Sequence, residues 1–188
     1  LIYPNRMASN VMLYRVSVCG VSDIGLVRQN NEDCWRGLQD EQFFALADGM
    51  GGHQAGEIAS REAMESLCLL FRKCFDPTHD LVHAERCLKY IIQEVNAAIY
   101  HMGREHSELR GMGTTLCCAL IHSEGLIYAH VGDSRIYRFR RGKLEQLTRD
   151  HSLLRELMDL GQVSEQQAAE FTYKNIITRA IGTEASVE

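Results

Sequence analysis

No apolar run in the sequence approaches the ~20 residues needed to cross a bilayer, and the N-terminus carries no basic segment followed by an apolar core. Neither a spanning helix nor a secretory leader is expected, which points to a cytoplasmic protein with no membrane partner. There is no C-x-x-C pair either. The seven cysteines (Cys19, Cys34, Cys68, Cys74, Cys87, Cys117, Cys118) are odd in number, so neither a disulfide framework nor a zinc knuckle is suggested. Reduced, mostly buried thiols are expected. Positive charge is in deficit: a net charge of -5 argues against nucleic acid or an anionic membrane as the main partner, since both reward basic patches. Internal repeats and low-complexity linkers are missing as well, leaving one domain as the expectation for 188 residues. The 45% hydrophobic and 24% charged content is ordinary for a globular protein and excludes a disordered or fibrous class.

What is present is organised around Leu46-Ala47-Asp48-Gly49-Met50-Gly51-Gly52-His53-Gln54-Ala55-Gly56-Glu57. The apolar run 43–47 reads as a buried strand that delivers Asp48 to its mouth. Gly49, Gly51 and Gly52 then allow backbone carbonyls to approach a ligand or hard cation closely. A plain strand-to-helix turn with one exposed Asp is the alternative.

Taken in order, residues 1–11 read as an N-terminal extension, and residues 14–21 as a first strand. A polar loop follows, carrying Arg28 and the adjacent carboxylates of Glu32 and Asp33. Apolar residues recurring at three and four predict a helix over 56–75. Asp76-Pro77 predicts the start of a second, with Asp as N-cap and an apolar stripe as far as Met102. Strands are expected over 114–122, 126–131, 134–140 and 143–147, close enough in sequence to require an antiparallel meander. Gly132-Asp133 sits between two of them. A short helix over 153–160, a capping box at Ser164 and Gln167, and a strand over 176–181 complete the reading, which is α+β with helices on sheet faces. His79 and His83 lie one helical turn apart without a third ligand nearby.

Glu32, Asp33, Asp48 and Asp133 all fall at loop or strand-end positions, so one face of the domain can gather them. Two such charges ~4 Å apart repel by about 4 kcal/mol at an effective dielectric near 20, so a gathered cluster needs protons or cations. Oxygen-only ligation favours Mg²⁺ or Mn²⁺ over Zn²⁺. Paired hard cations suit hydrolysis at phosphorus, with the planar fork of Arg28 on the phosphate oxygens.

Four motifs in order, Arg28-x-x-x-Glu32-Asp33, Asp48-Gly49-Met50-Gly51-Gly52-His53-x-x-Gly56-Glu57, Gly113-Thr114-Thr115 and Val131-Gly132-Asp133-Ser134-Arg135, resemble those of the metal-dependent protein phosphatases, or protein phosphatase 2C, in their bacterial form. The resemblance implies a serine/threonine phosphoprotein phosphatase with a four-layer α-β-β-α sandwich of two antiparallel sheets flanked by helices. It implies that Asp48 bridges two Mn²⁺ or Mg²⁺ ions, that the Gly49 carbonyl ligates one, and that Glu32 and Asp33 hold metal-bound waters. It further implies that Arg28 binds the substrate phosphate, that Asp133 holds a third, weaker metal, and that residues 150–175 form a flap. The substrates implied are phosphoproteins of a serine/threonine kinase, acted on by a monomer.

Two departures from the pattern stand out. Some relatives carry His directly after the Asp-Gly pair; here Met50 stands there and His53 three residues on, which leaves the general acid open. The family's later Asp-Gly and Asp-Asn motifs are also missing, since neither Asp150 nor Asp159 is followed by Gly or Asn. Residues 12–188 therefore read as an incomplete, C-terminally truncated phosphatase domain without its closing strands. Such a chain alone is expected to be weak or inactive. The alternative is a catalytically inactive fragment or pseudophosphatase that serves as a regulatory binding module.

Overall fold

Two helices and one antiparallel sheet share the main apolar interface. The computed structural model describes residues 15–52 and 54–187. Strands β1 (Asp33–Leu38) and β2 (Phe43–Met50) form a hairpin, and β2 also pairs with β3 (Gly113–Thr114) and β4 (Leu116–His122). Strand β5 (Gly125–Val131) returns antiparallel along β4, so the main sheet runs β1-β2-β4-β5. A second, two-stranded antiparallel sheet consists of β6 (Tyr137–Arg140) and β7 (Lys143–Gln146). The class is α+β with two antiparallel sheets, as expected.

Helix α1 (Ala55–Cys74) buries Ala59, Ala63, Met64, Leu67 and Phe71, the face that the three-and-four spacing predicts. Helix α2 (Leu81–Glu105) does the same with Ala84, Leu88, Ile91, Val95 and Ile99. These faces cover Phe43, Ala45 and Ala47 of β2 with Cys118 and Leu120 of β4, and Phe43 stacks on Phe71 at 4.1 Å between ring centroids. Each fully buried large side chain here contributes about 1.5–3 kcal/mol. No helix among the described residues is long and apolar enough to cross a membrane.

Several expectations need correction. The second helix starts at Leu81, four residues later than Asp76-Pro77 suggests, because Asp80 caps it by accepting from His83 N–H at 2.8 Å. Asp76 instead accepts from the backbone N–H and hydroxyl of Thr78, closing a turn before the helix. No strand forms over residues 15–24; a strand is made by its ladder, and no described strand pairs with this segment, although Gly20 packs against Trp35 of β1. Its start, Tyr14, lies outside the described residues, as do 1–11.

The four-strand meander divides into two hairpins. Gly132 (φ +100°) ends β5 in a turn, Ser134 stays tied to β4 through Cys117, and Ile136 N–H then bonds Thr148 Oγ1; β6 begins at Tyr137 and among the described residues pairs with β7 alone. Residues 176–181 make two isolated bridges, Ser152↔Ile177 and Thr114↔Ile181, rather than a strand. All seven thiols are free, but only Cys117 and Cys118 are buried; Cys34, Cys68 and Cys87 are half-buried, and Cys19 and Cys74 are exposed.

Helix α3 (Leu153–Asp159) and helix α4 (Glu165–Ala168) lie within an excursion whose ends are tied together. Leu153 N–H bonds Ile176 O, and Thr178 N–H bonds His151 O, both at 2.9 Å. Ser164 and Gln167 form the expected capping box on α4. Bidentate bonds from Arg135 to Asp150 (2.6 to 3.0 Å) fasten the entry of this segment to the β6 end of the second sheet.

Candidate active site

The loop before β1 and the end of β2 meet at one edge of the main sheet. Asp33 is the register partner of Asp48, so their side chains leave the same face of the β1–β2 pair. Asp33 is held by its own N–H, which donates to Asn31 Oδ1 at 3.0 Å, while Asn31 Nδ2 donates to Ser22 Oγ at 2.7 Å. Gly49 N–H donates to Glu32 O at 3.0 Å and so brings Glu32 against the strand end.

That approach leaves no room for side chains. A Cβ at Gly49 would lie 1.9 Å from Gly56 O, and one at Gly56 would lie 2.4 Å from Glu32 Oε1. The glycines of the strand-to-helix turn thus serve a three-way contact among Glu32, the β2 end and the first turn of α1. Arg28 Nη1 donates to Glu32 Oε2 at 3.2 Å with the Arg28 side chain 74% exposed, so the guanidinium is anchored at one corner and open to solvent.

Electrostatics bind these groups together. Asp48 keeps contact with solvent, yet partial burial, then the negative charges of Asp33, Asp133 and Glu32, push its carboxyl from the ordinary 3.8 up to about 6. Arg28 opposes the shift. All four sequence-predicted carboxylates therefore act within one neighbourhood, and Asp133 reaches it from the β5–β6 connection. His53 lies outside the described residues.

The donor set is hard oxygen and the crowding is anionic, which fits Mg²⁺ or Mn²⁺ better than a thiol- or imidazole-seeking ion. Among the described residues, no three His, Cys, Asp or Glu side chains approach closely enough to enclose an ion. The chemistry present thus fits a cation held by few direct carboxylates and completed by backbone carbonyl or water. The rings of His79 and His83 meet at 4.0 Å between centroids, tilted by 49°, with the His79 carbonyl bonded to His122 Nε2; they join no such group.

Two contacts at the site join residues of separate motifs, and the sequence does not say that they meet. Asp48 N–H donates to Thr115 Oγ1 at 3.0 Å, and Thr115 Oγ1 lies 2.7 Å from Ser134 Oγ. Asp150 is committed to Arg135. Only the hydroxyl types at 115 and 134, one following a Gly-Thr pair and one following Gly-Asp, hint at polar partners.

A family model described as protein phosphatase 2C matches residues 23–179. The serine/threonine phosphatase stp of Listeria monocytogenes is 39% identical over 173 residues, covering 89% of this chain and 67% of that protein. The crystal structure of the serine/threonine phosphatase Stp1 from Staphylococcus aureus superposes with a TM-score of 0.82 at 36% identity, covering 89% of this chain and 66% of that one. A structure of the PstP catalytic domain in complex with two manganese ions gives a TM-score of 0.74 at 37% identity, over 89% and 68% of the two chains. The chain thus spans about two thirds of the length of the relatives that it matches.

Proposed function

Because the chain belongs to the protein phosphatase 2C family, we propose that it supplies the phosphate-facing and much of the metal-holding part of an enzyme that hydrolyses phosphoserine and phosphothreonine in proteins. The observation that carries this reading is the gathering of Asp33, Asp133 and Glu32 around Asp48, whose negative charges add to partial burial in pushing the Asp48 carboxyl up to about 6. Asp48 would bridge two Mn²⁺ or Mg²⁺ ions, with the Gly49 carbonyl on one of them. Glu32 and Asp33 would hold metal-bound waters, and Asp133 would hold a third, weaker ion. Such ions, when bound, supply positive charge that lowers the pKa of water and polarises a phosphoryl oxygen.

The protein's own groups do the rest. Arg28, oriented by Glu32, presents a planar fork to two phosphate oxygens. The Gly49–Gly56 contact fixes the β2 end against α1, so the carboxylates are held before substrate arrives. His53 is the candidate proton donor to the leaving alkoxide. Residues 150–175 form the flap beside the site, and the substrates are phosphoproteins of a serine/threonine kinase, met in the cytoplasm by a monomer.

A second reading, a non-catalytic binding module that uses Arg28 and the flap, is favoured by the lack of a three-ligand group among the described residues. The deciding experiment is phosphopeptide turnover with Mn²⁺ in a protein that continues through the remaining third of the relatives' length. Turnover abolished by Asp48→Asn supports the enzyme; no turnover, or turnover indifferent to that substitution, supports the module.

A further inference from the structure

Thr115 is nearly fully buried, at 1% exposure, and uses every polar group it has. Its backbone N–H donates to Asp48 O at 2.9 Å, and its Oγ1 accepts from Asp48 N–H at 3.0 Å. The same Oγ1 shares a 2.7 Å hydrogen bond with Ser134 Oγ. Its methyl carbon occupies the other flank: a Cβ at Gly132 would lie 2.6 Å from Thr115 Cγ2. Thr115 therefore touches Gly132 with its methyl and Ser134 with its hydroxyl, the two residues on either side of Asp133. A second tie, from Cys117 Sγ to Ser134 O at 3.0 Å, holds the same loop.

We propose that the Thr115–Ser134 hydroxyl pair is the positioning link that sets Asp133 relative to Asp48, so that the two carboxylates offer one cation-binding arrangement rather than two independent ones. The proposal rests on the cation-holding role given to Asp48 and Asp133 above. A hydroxyl is required because Oγ1 must accept from Asp48 while still engaging Ser134; valine has the shape without the bonds. Groups that orient ligands in this way typically change metal affinity by about 10–100-fold when removed.

The test is Mn²⁺ titration of the 188-residue chain, followed by calorimetry and by electron paramagnetic resonance of free Mn²⁺, with thermal melts on every variant. Thr115→Val and Ser134→Ala should each weaken Mn²⁺ binding by about 10-fold, while Thr115→Ser stays within about 2-fold of the parent despite losing the methyl. Asp48 amide hydrogen exchange should accelerate in Thr115→Val and not in Thr115→Ser. Parent-like Mn²⁺ affinity in folded Thr115→Val, or in Ser134→Ala should the valine variant not fold, overturns the link. So does a loss in Thr115→Ser equal to that in Thr115→Val, which would mark a packing role only. If the parent binds no more Mn²⁺ than Asp48→Asn, the reading of the site itself has failed; if it does and Thr115→Val matches it, only the positioning link has.

Discussion

Asp33 and Asp48 face each other directly across the first hairpin, fifteen residues apart in sequence and register partners in the ladder. Like charges placed opposite one another in a sheet destabilise it, and here Asp133 and the loop carboxylate of Glu32 add to the repulsion. Arg28 offsets part of this repulsion, and a proton or a bound cation offsets more.

Asp48→Asn should therefore separate stability from function. The raised carboxyl means that the fold favours neutral Asp48, so its contribution to stability is most favourable below pH 3.8 and is lost as pH rises through about 6. At pH 7.5 the metal-free variant should melt higher than the parent, and it should bind Mn²⁺ at least about 10-fold more weakly. Calorimetry and a melting curve on the same samples check both.

Mn²⁺ binding should also be pH-dependent in the same window. Protons compete for Asp48 below about pH 6, so Mn²⁺ affinity should fall as pH drops from 7 to 5, and binding at pH 6 should release protons. Titration in two buffers of different ionisation enthalpy measures that release directly.

Gly49→Ala should be costly and Gly52→Ala cheap. The added methyl at Gly49 meets backbone, at 1.9 Å from Gly56 O, whereas nothing lies within 4 Å of a Cβ at Gly52. A loss of about 3 kcal/mol is expected for the first and about 0.5 kcal/mol or less for the second. In a domain of this size that is roughly 6–12 °C of melting temperature against little change.

Asn96→Ala should loosen the end of the described chain. Asn96 is fully buried on α2; its Nδ2 donates to Glu184 O at 3.0 Å and its Oδ1 accepts from Gly182 N–H at 2.8 Å. Leaving those backbone groups buried without partners costs about 1–3 kcal/mol. Faster hydrogen exchange at Gly182, with α2 helicity retained, is the expected readout.

Helix α2 offers a control on local reading. Asp80→Ala should cost about 1 kcal/mol and fray the first turn, since Asp80 supplies the cap. Asp76→Ala should leave the helix length unchanged, because Asp76 serves the turn at Thr78. Circular dichroism of the two variants distinguishes them.

The helices were legible because their stripes are local: Ala59, Ala63 and Leu67 on α1, and Leu88, Ile91 and Val95 on α2, are spaced by the helical period itself. The start of α2 was misread by four residues because Asp76 and Asp80 have equal intrinsic capping ability, and only the chain's path into the helix chooses between them. The expected strands over 14–21 and 176–181 failed for a different reason. Their β character depends on a neighbour elsewhere in the chain, and alternation of residue types does not say whether one arrives.

The sequence by itself determined the order of motifs, hence the family, and the residues that bring charge: Arg28, Glu32, Asp33, Asp48 and Asp133 are conspicuous as acidic or basic groups beside glycine turns. Only the tertiary structure decided that Asp33 stands opposite Asp48, that Thr115 grips both flanks of Asp133, and that Asp150 belongs to Arg135. Those contacts join residues 15 to 19 positions apart. Chain chemistry supplies the groups, whereas their meeting depends on which sheet face each strand turns toward and where the core holds its end, and no local pattern records that.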